Sequence, residues 1–344
     1  MKSKKSSPIS VINFFQDMPK YIFNRNEKFH KWGADNDIPD KLMDLYNTVP
    51  EHSSTINFIL SNVIENEIEQ ADYWMLQKLA LDYILFGGFT VEKTRLRNGE
   101  FTYEYVDISK CRISPDKDKI GYSENWGSYK ADVDWREIVT EESKQGIYLF
   151  KNPTTRGTYP SPRYLAAVKS MDTMSAITDY HNNNAKNGFT PNVVINFNNG
   201  EPDEGTKKDM EKKITDKFTG VTGNKFLLSF NESSDTATTI DKLDGDNLDE
   251  KFETLQKFIQ NQIIVAHQLT SGSLIGIKPE NQGFSKVEYA EAMEIFEDNV
   301  ISGYRKEIEY GLSELFNKEI LLKNHTDIKE NVEEIIEEKE EGNE

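Results

Sequence analysis

The sequence predicts an α+β protein, and three observations predict it. Apolar residues recur at helical spacing as far as Phe86, and a period of two takes over from Phe89. Beyond that sheet, two long helical segments, Pro162–Asn187 and Asp249–Leu269, bracket a compact β-α-β insert, Thr190–Phe230. A loop punctuated by glycine (Thr270–Gly283) and a last long helix follow.

Each element has a local reason. Pro39 suits the first turn of a helix running to about Asn47, because proline lacks only an amide that the first turn leaves unused. Ser53–Ile64 places Ile56, Ile59, Leu60 and Val63 on one face. Tyr73–Phe86 does the same with Leu76, Leu79, Ala80, Tyr83 and Ile84, and Gly87-Gly88 stops it. Thr90–Leu96 and Phe101–Val106 flank Asn98-Gly99, a strong hairpin signal. Short strands are expected at Cys111–Ser114, Ile120–Ser123 and Ile147–Phe150, with polar loops around Trp126 and Trp135, all in one antiparallel sheet.

Tyr159-Pro160-Ser161-Pro162 opens a helix over Arg163–Lys186, roughly 36 Å long at 1.5 Å per residue, which Asn187-Gly188 ends. The insert reads as strand Val193–Phe197, a lysine-rich helix Asp203–Phe218 and strand Lys225–Phe230. Asp246 or Asn247 caps the next helix, which carries Phe252, Leu255, Phe258, Ile259, Ile263 and Ala266. Ser285 caps a helix from Lys286 to about Leu322, with a kink expected at Ser302-Gly303.

Composition narrows the function. The chain has 344 residues and carries a formal charge of −18. Tight phosphate binding needs a positive field, so DNA gripping is disfavoured, although a like-charged wall suits a conduit that must not stick. Acidity by itself also confers solubility. Part of the imbalance is local: Asp327–Glu344 holds nine Asp/Glu against two lysines. Apolar runs reach about six residues, short of the roughly 20 that span a bilayer, so no membrane association is expected. Met1–Pro8 is basic without an apolar core, so no secretory signal is expected there. The one cysteine, Cys111, suits a reducing compartment.

Catalytic signatures fail on spacing. Asp244-Gly245-Asp246-Asn247 misplaces its glycine for a calcium loop. Gly220-Val-Thr-Gly223-Asn-Lys225 is too short for a phosphate loop, and Gly272-Ser273-Leu-Ile-Gly276 is no nucleophile elbow. The five histidines have no ligand spacing, and His267 reads as a packed residue. No enzyme activity, catalytic residue, metal or cofactor is expected.

Several stretches in fixed order resemble the portal proteins of tailed bacteriophages. They are Asp37-Ile-Pro-Asp-Lys-Leu with His52-Ser-Ser-Thr-Ile-Asn, and Asp82-Tyr-Ile-Leu-Phe-Gly-Gly-Phe-Thr-Val-Glu with Tyr105-Val-Asp-Ile-Ser and Cys111-Arg-Ile. Tyr159-Pro-Ser-Pro-Arg-Tyr-Leu-Ala-Ala, Asn187-Gly-Phe-Thr-Pro, and Gln262-Ile-Ile-Val-Ala-His-Gln-Leu before Leu274-Ile-Gly complete the series. The resemblance spans about Asp37–Phe316, and departs where the family often has Val-Pro-Pro and this chain has Leu269-Thr-Ser-Gly.

That resemblance implies a portal-like fold: residues 1–8 a disordered basic arm, 9–161 the first part of a wing, 162–188 a first stem helix, and 189–245 a clip. Residues 246–269 become the second stem helix, 270–284 a tunnel loop, 285–322 a wing or crown helix, and 323–344 an acidic tail in the crown or disordered. It implies a homododecameric ring at one vertex of the virion capsid, made in the bacterial host cytoplasm, for DNA packaging and ejection. Its partners would be the major capsid protein, the terminase large subunit, head-completion or adaptor proteins, and double-stranded DNA in transit without sequence preference. The stem interface would use Met171, Met174, Phe252, Leu255, Phe258, Ile259 and Ile263. Thr270, Ser271, Gly272, Ser273, Lys278, Asn281, Gln282 and Lys286 would face the channel, and Lys207, Lys208, Lys212 and Lys213 would dock terminase or adaptor. A metal-dependent nucleic-acid-processing enzyme and a capsid scaffold without a channel are the competing readings.

Overall fold

The computed structural model describes residues 28–64, 68, 71–126, 132–139, 143–186, 193–197, 205–206, 208–209, 226–230, 248–277 and 285–322. Three helices come first: α1 (Ile38–Thr48), α2 (Pro50–Val63) and α3 (Tyr73–Phe86). Proline stands in the first turn of both α1 and α2. Asp72 caps α3 by accepting from the Met75 amide at 2.7 Å, and Gly87 ends it in the left-handed region at φ 81°. A side chain at Gly87 would stand 2.2 Å from the Ser161 carbonyl oxygen, so only glycine fits. Leu42, Leu45, Ile56, Ile59, Leu76 and Leu79 are buried and form the core of this layer.

The strands are β1 (Gly88–Arg95), β2 (Phe101–Val106), β3 (Cys111–Ile113), β4 (Lys119–Tyr122), β5 (Asp134–Glu137) and β6 (Gln145–Lys151). The expected single sheet is in fact two, ordered β2-β1-β6 and β3-β4-β5, each antiparallel. The switch between them is a 3-10 turn, Ile108–Lys110, where the Asp107 carboxylate accepts from the Ser109 amide and hydroxyl. Cys111, Ile113, Ile120 and Ile147 pack the two sheets together. β5, expected as loop, lies at an edge; its sequence Asp-Trp-Arg-Glu lacks the apolar alternation that would have revealed it.

The first long helix begins later than expected. A 3-10 turn, Leu165–Ala167, precedes α4 (Val168–Lys186). Tyr164 is buried beneath that turn with its hydroxyl donating to the Leu85 carbonyl at 2.7 Å, which fixes the chain before the α-helix starts. Strands β7 (Val193–Phe197) and β8 (Phe226–Phe230) pair in parallel, as a β-α-β unit requires; between them residues 205–206 and 208–209 are helical. Helix α5 (Leu248–Ala266) ends through Gln268 at φ 56°. The expected caps Asp246 and Asn247, the basic arm and the acidic tail lie outside the described residues.

The last helix also differs. It is α6 (Lys286–Phe296), a π-helical turn (Glu297–Ile301) and α7 (Ser302–Phe316), closed by Asn317 at φ 51°. The irregularity therefore precedes Ser302-Gly303 by one turn, and the helix stops short of Leu322. Arg305 is the cause: fully buried, it pairs with Glu297 at 2.8 Å and donates to the Asn62 and Val63 carbonyls at the end of α2. Gly311 serves packing rather than bending, since a Cβ there would lie 2.7 Å from the Phe150 ring. By internal contact the chain divides into two units, residues 1–171 with 261–344, and residues 172–260.

Candidate functional site

Helix α5 carries two apolar stripes. Phe252, Ile259 and Ile263 recur at intervals of seven and four, and lie on one side. Ile259 and Ile263 are buried, as are Met171, Met174 and Ile177 of α4. Phe252 is half-buried, its ring 5.0 Å from Tyr180 and 5.4 Å from His181. Leu255, Phe258 and Val265, spaced three and seven apart, form the second stripe. They are 39%, 59% and 69% exposed. The seven expected interface residues thus separate: Met171, Met174, Ile259 and Ile263 are covered within one chain, while Leu255 and Phe258 present open apolar surface. Val265 was missed, although its spacing from Phe258 is a helical repeat of two turns.

The segment after α5 is more ordered than a free loop. Thr270 donates its hydroxyl to the Ala292 carbonyl at 2.6 Å, tying the segment to α6. Ser271 caps a 3-10 turn, Gly272–Ile275, and its Oγ lies 2.8 Å from the Ser273 Oγ. Leu274 is buried, and Gly276 closes the turn at φ 85°. These hydroxyls therefore already serve local structure. Lys286 is exposed at the start of α6, just after its cap Ser285. Lys278, Asn281 and Gln282 lie outside the described residues, as do Lys207, Lys212 and Lys213; Lys208 is exposed on a helical position.

His267 is packed, as the sequence suggests, but against a partner no local pattern showed. Its Nε2 stands 2.9 Å from Nδ1 of His52, and both rings lie against Tyr164. Burial lowers His52 to about 4 and His267 to about 3, so both are neutral near pH 7. Asp82 of α3 is buried, with the Tyr105 hydroxyl donating to it; burial and Asp107 raise its pKa. A cleft of about 280 Å³ between the sheets is lined by Glu92, Asp107, Asp134 and Arg136, and Arg136 pairs with both Glu92 and Asp134. Among the described residues no three His, Cys, Asp or Glu side chains are placed to hold a metal, and no helix is long and apolar enough to cross a membrane.

No family model matches the sequence, and no curated protein matches it. Solved structures do match. A chain of the virion of a native gene transfer agent particle aligns with 16% identity and a TM-score of 0.51, covering 84% of each chain. A chain from the neck of an empty particle of that kind, computed with C6 symmetry, gives 14% identity and a TM-score of 0.52, covering 83% of this chain and 84% of the other. A phage portal protein of the HK97 family from Corynebacterium diphtheriae aligns at 10% identity with a TM-score of 0.48. This chain has a fold shared with chains of the gene transfer agent virion and neck.

Proposed function

We propose that the chain is a portal protein, a non-enzymatic ring subunit at one capsid vertex that conducts double-stranded DNA during packaging and ejection. The observation that carries this reading is the fold shared over 84% of the chain with a virion component. The order of motifs from Asp37 to Phe316 supports it independently of the fold. In this reading α4 and α5 form the stem, β7 and β8 belong to the clip, and the segment from Thr270 faces the channel. Terminase and head-completion proteins dock at the clip lysines, Lys207, Lys208, Lys212 and Lys213. Twelve copies of a chain of charge −18 sum to a formal charge on the order of −200, so the wall repels the DNA it passes rather than gripping it.

The exposed stripe Leu255, Phe258 and Val265 is what a ring neighbour would cover, since monomers rarely leave such surface open. Phe258→Asp tests the assignment without disturbing the buried stripe of α5. Removing a central aromatic from an interface costs about 2 kcal/mol or more, so association should weaken at least about 30-fold per contact while the subunit stays folded. Sedimentation across a concentration series reads this. Unchanged assembly in the variant would remove α5 from the interface.

A further inference from the structure

The first sheet presents an aromatic and cationic strip that α7 leaves uncovered. Alternation places Phe89, Val91, Lys93 and Arg95 of β1 on one face, with Tyr105, Tyr103 and Phe101 opposite them on β2. Helix α7 covers this face as far as Phe316, whose ring meets Tyr103 edge-on with centroids 4.6 Å apart. The chain then leaves the helix at Asn317, and the Leu322 amide donates to the Glu309 carboxylate at 2.8 Å.

Beyond Tyr103 the hairpin continues with Leu96 and Phe101 partly open, 43% and 38% exposed. The Lys93 ammonium lies 4.4 Å and the Arg95 guanidinium 6.0 Å from the Phe101 centroid. Leu96 and Arg97 are exposed in the turn, and Lys144 is held beside them through its carbonyl, which accepts from the Arg95 amide. None of these four cations has an ion-pair partner among the described residues. On a chain of net charge −18, that is a local inversion of sign.

The same chain contains the complementary surface. Asp327–Glu344 holds nine carboxylates against two lysines, and Ile328, Val332 and Ile335 recur among them at intervals of four and three. Leu322 stands near Glu309, and the path from there along α7 and two residues of β2 to Phe101 is roughly 20 Å. The 22 residues that follow Leu322 cover about 33 Å even at helical rise.

From this geometry we infer that the acidic segment Asp327–Glu344 docks in cis on the hairpin strip formed by Lys93, Arg95, Phe101, Arg97 and Lys144. Its carboxylates meet the four cations, and its apolar residues cover Phe101 and Leu96. The contact is independent of ring formation, because both surfaces belong to one subunit.

A cysteine pair in the full chain tests it. Arg97→Cys with Glu337→Cys places one thiol on each surface, while burial pushes the Cys111 thiol up to about 12 and keeps it from competing. Mild oxidation at low salt should give an intrachain disulfide, read by peptide mass, at a yield at least about fivefold above the control pair Asp116→Cys with Glu337→Cys. Asp116 is an exposed position in the turn between β3 and β4. The excess should vanish in about 1 M salt, where screening acts within about 3 Å, and when Lys93 and Arg95 both become Glu. Equal yields in the two pairs, or a yield indifferent to salt and to charge reversal, would overturn the inference. So would a disulfide joining two copies, which would give the strip to a neighbouring chain.

Discussion

His52 and His267 share a buried hydrogen bond, and the cost of charging them is written into the stability of the protein. Burial holds both below the ordinary histidine value of 6.5, near 4 and near 3. The unfolded chain therefore takes up protons first as the pH falls. Their contribution is complete above pH 6.5 and is lost as the pH drops through 4 and then 3. Asp82 acts in the opposite sense, because its raised pKa favours the protonated acid in the folded state and its contribution fades as the pH rises. The histidine effect is therefore best read as a difference. Between pH 6.5 and 4 the stability advantage of the native chain over His267→Gln should shrink by about 1.4 kcal/mol per pH unit, measured by urea unfolding. A difference that ignores pH would show that the pair does not titrate as described. His267 could be read as packed from its place on α5, but His52 could not be read as its partner, since 215 residues separate them and neither carries a local signal of the other.

At the scale of elements, the helices and hairpin were legible because their information is local. Tyr73–Phe86 coincides with α3, and Asn98-Gly99 marks the β1–β2 turn, with Gly99 at φ 93°. Three features were not legible, each for a non-local reason. β5 is polar because it sits at a sheet edge; the start of α4 is set by burial of Tyr164; the break between α6 and α7 follows a salt bridge between residues eight apart. The glycine expected to kink that helix instead lies against Arg163, whose guanidinium pairs with Glu307. Arg305 is the sharpest test of this account. It satisfies the last carbonyls of α2 and the Glu297 carboxylate at once. Arg305→Ala removes the buried cation facing that carboxylate and the donor to the Asn62 and Val63 carbonyls, so the folded state should lose about 3–5 kcal/mol, measured by chemical denaturation. A loss under about 1 kcal/mol would mean that the π-helical turn does not depend on the pair.

For the molecule as a whole, the motif order resembles portal proteins, and the backbone separately shares its fold with chains of a gene transfer agent particle. No single motif is specific, and no family model matches the sequence, yet the fold aligns over most of the chain with components of a virion and its neck. The candidate surfaces were only partly legible. Apolar residues on a helix can be recognised from sequence, but which stripe is already covered depends on what packs against it, so Ile259 and Phe258 look equivalent until the fold is known. The cationic hairpin strip was invisible for a similar reason, since its exposure follows from where α7 stops.

Negative-stain imaging of the purified full-length protein, with native mass on the same sample, tests the central claim most directly. The portal reading predicts closed rings with a central hole and a mass of about twelve subunits, since ring symmetry requires one interface repeated until it closes. A monomer that persists at high concentration, or an open polymer of indefinite mass, would contradict it.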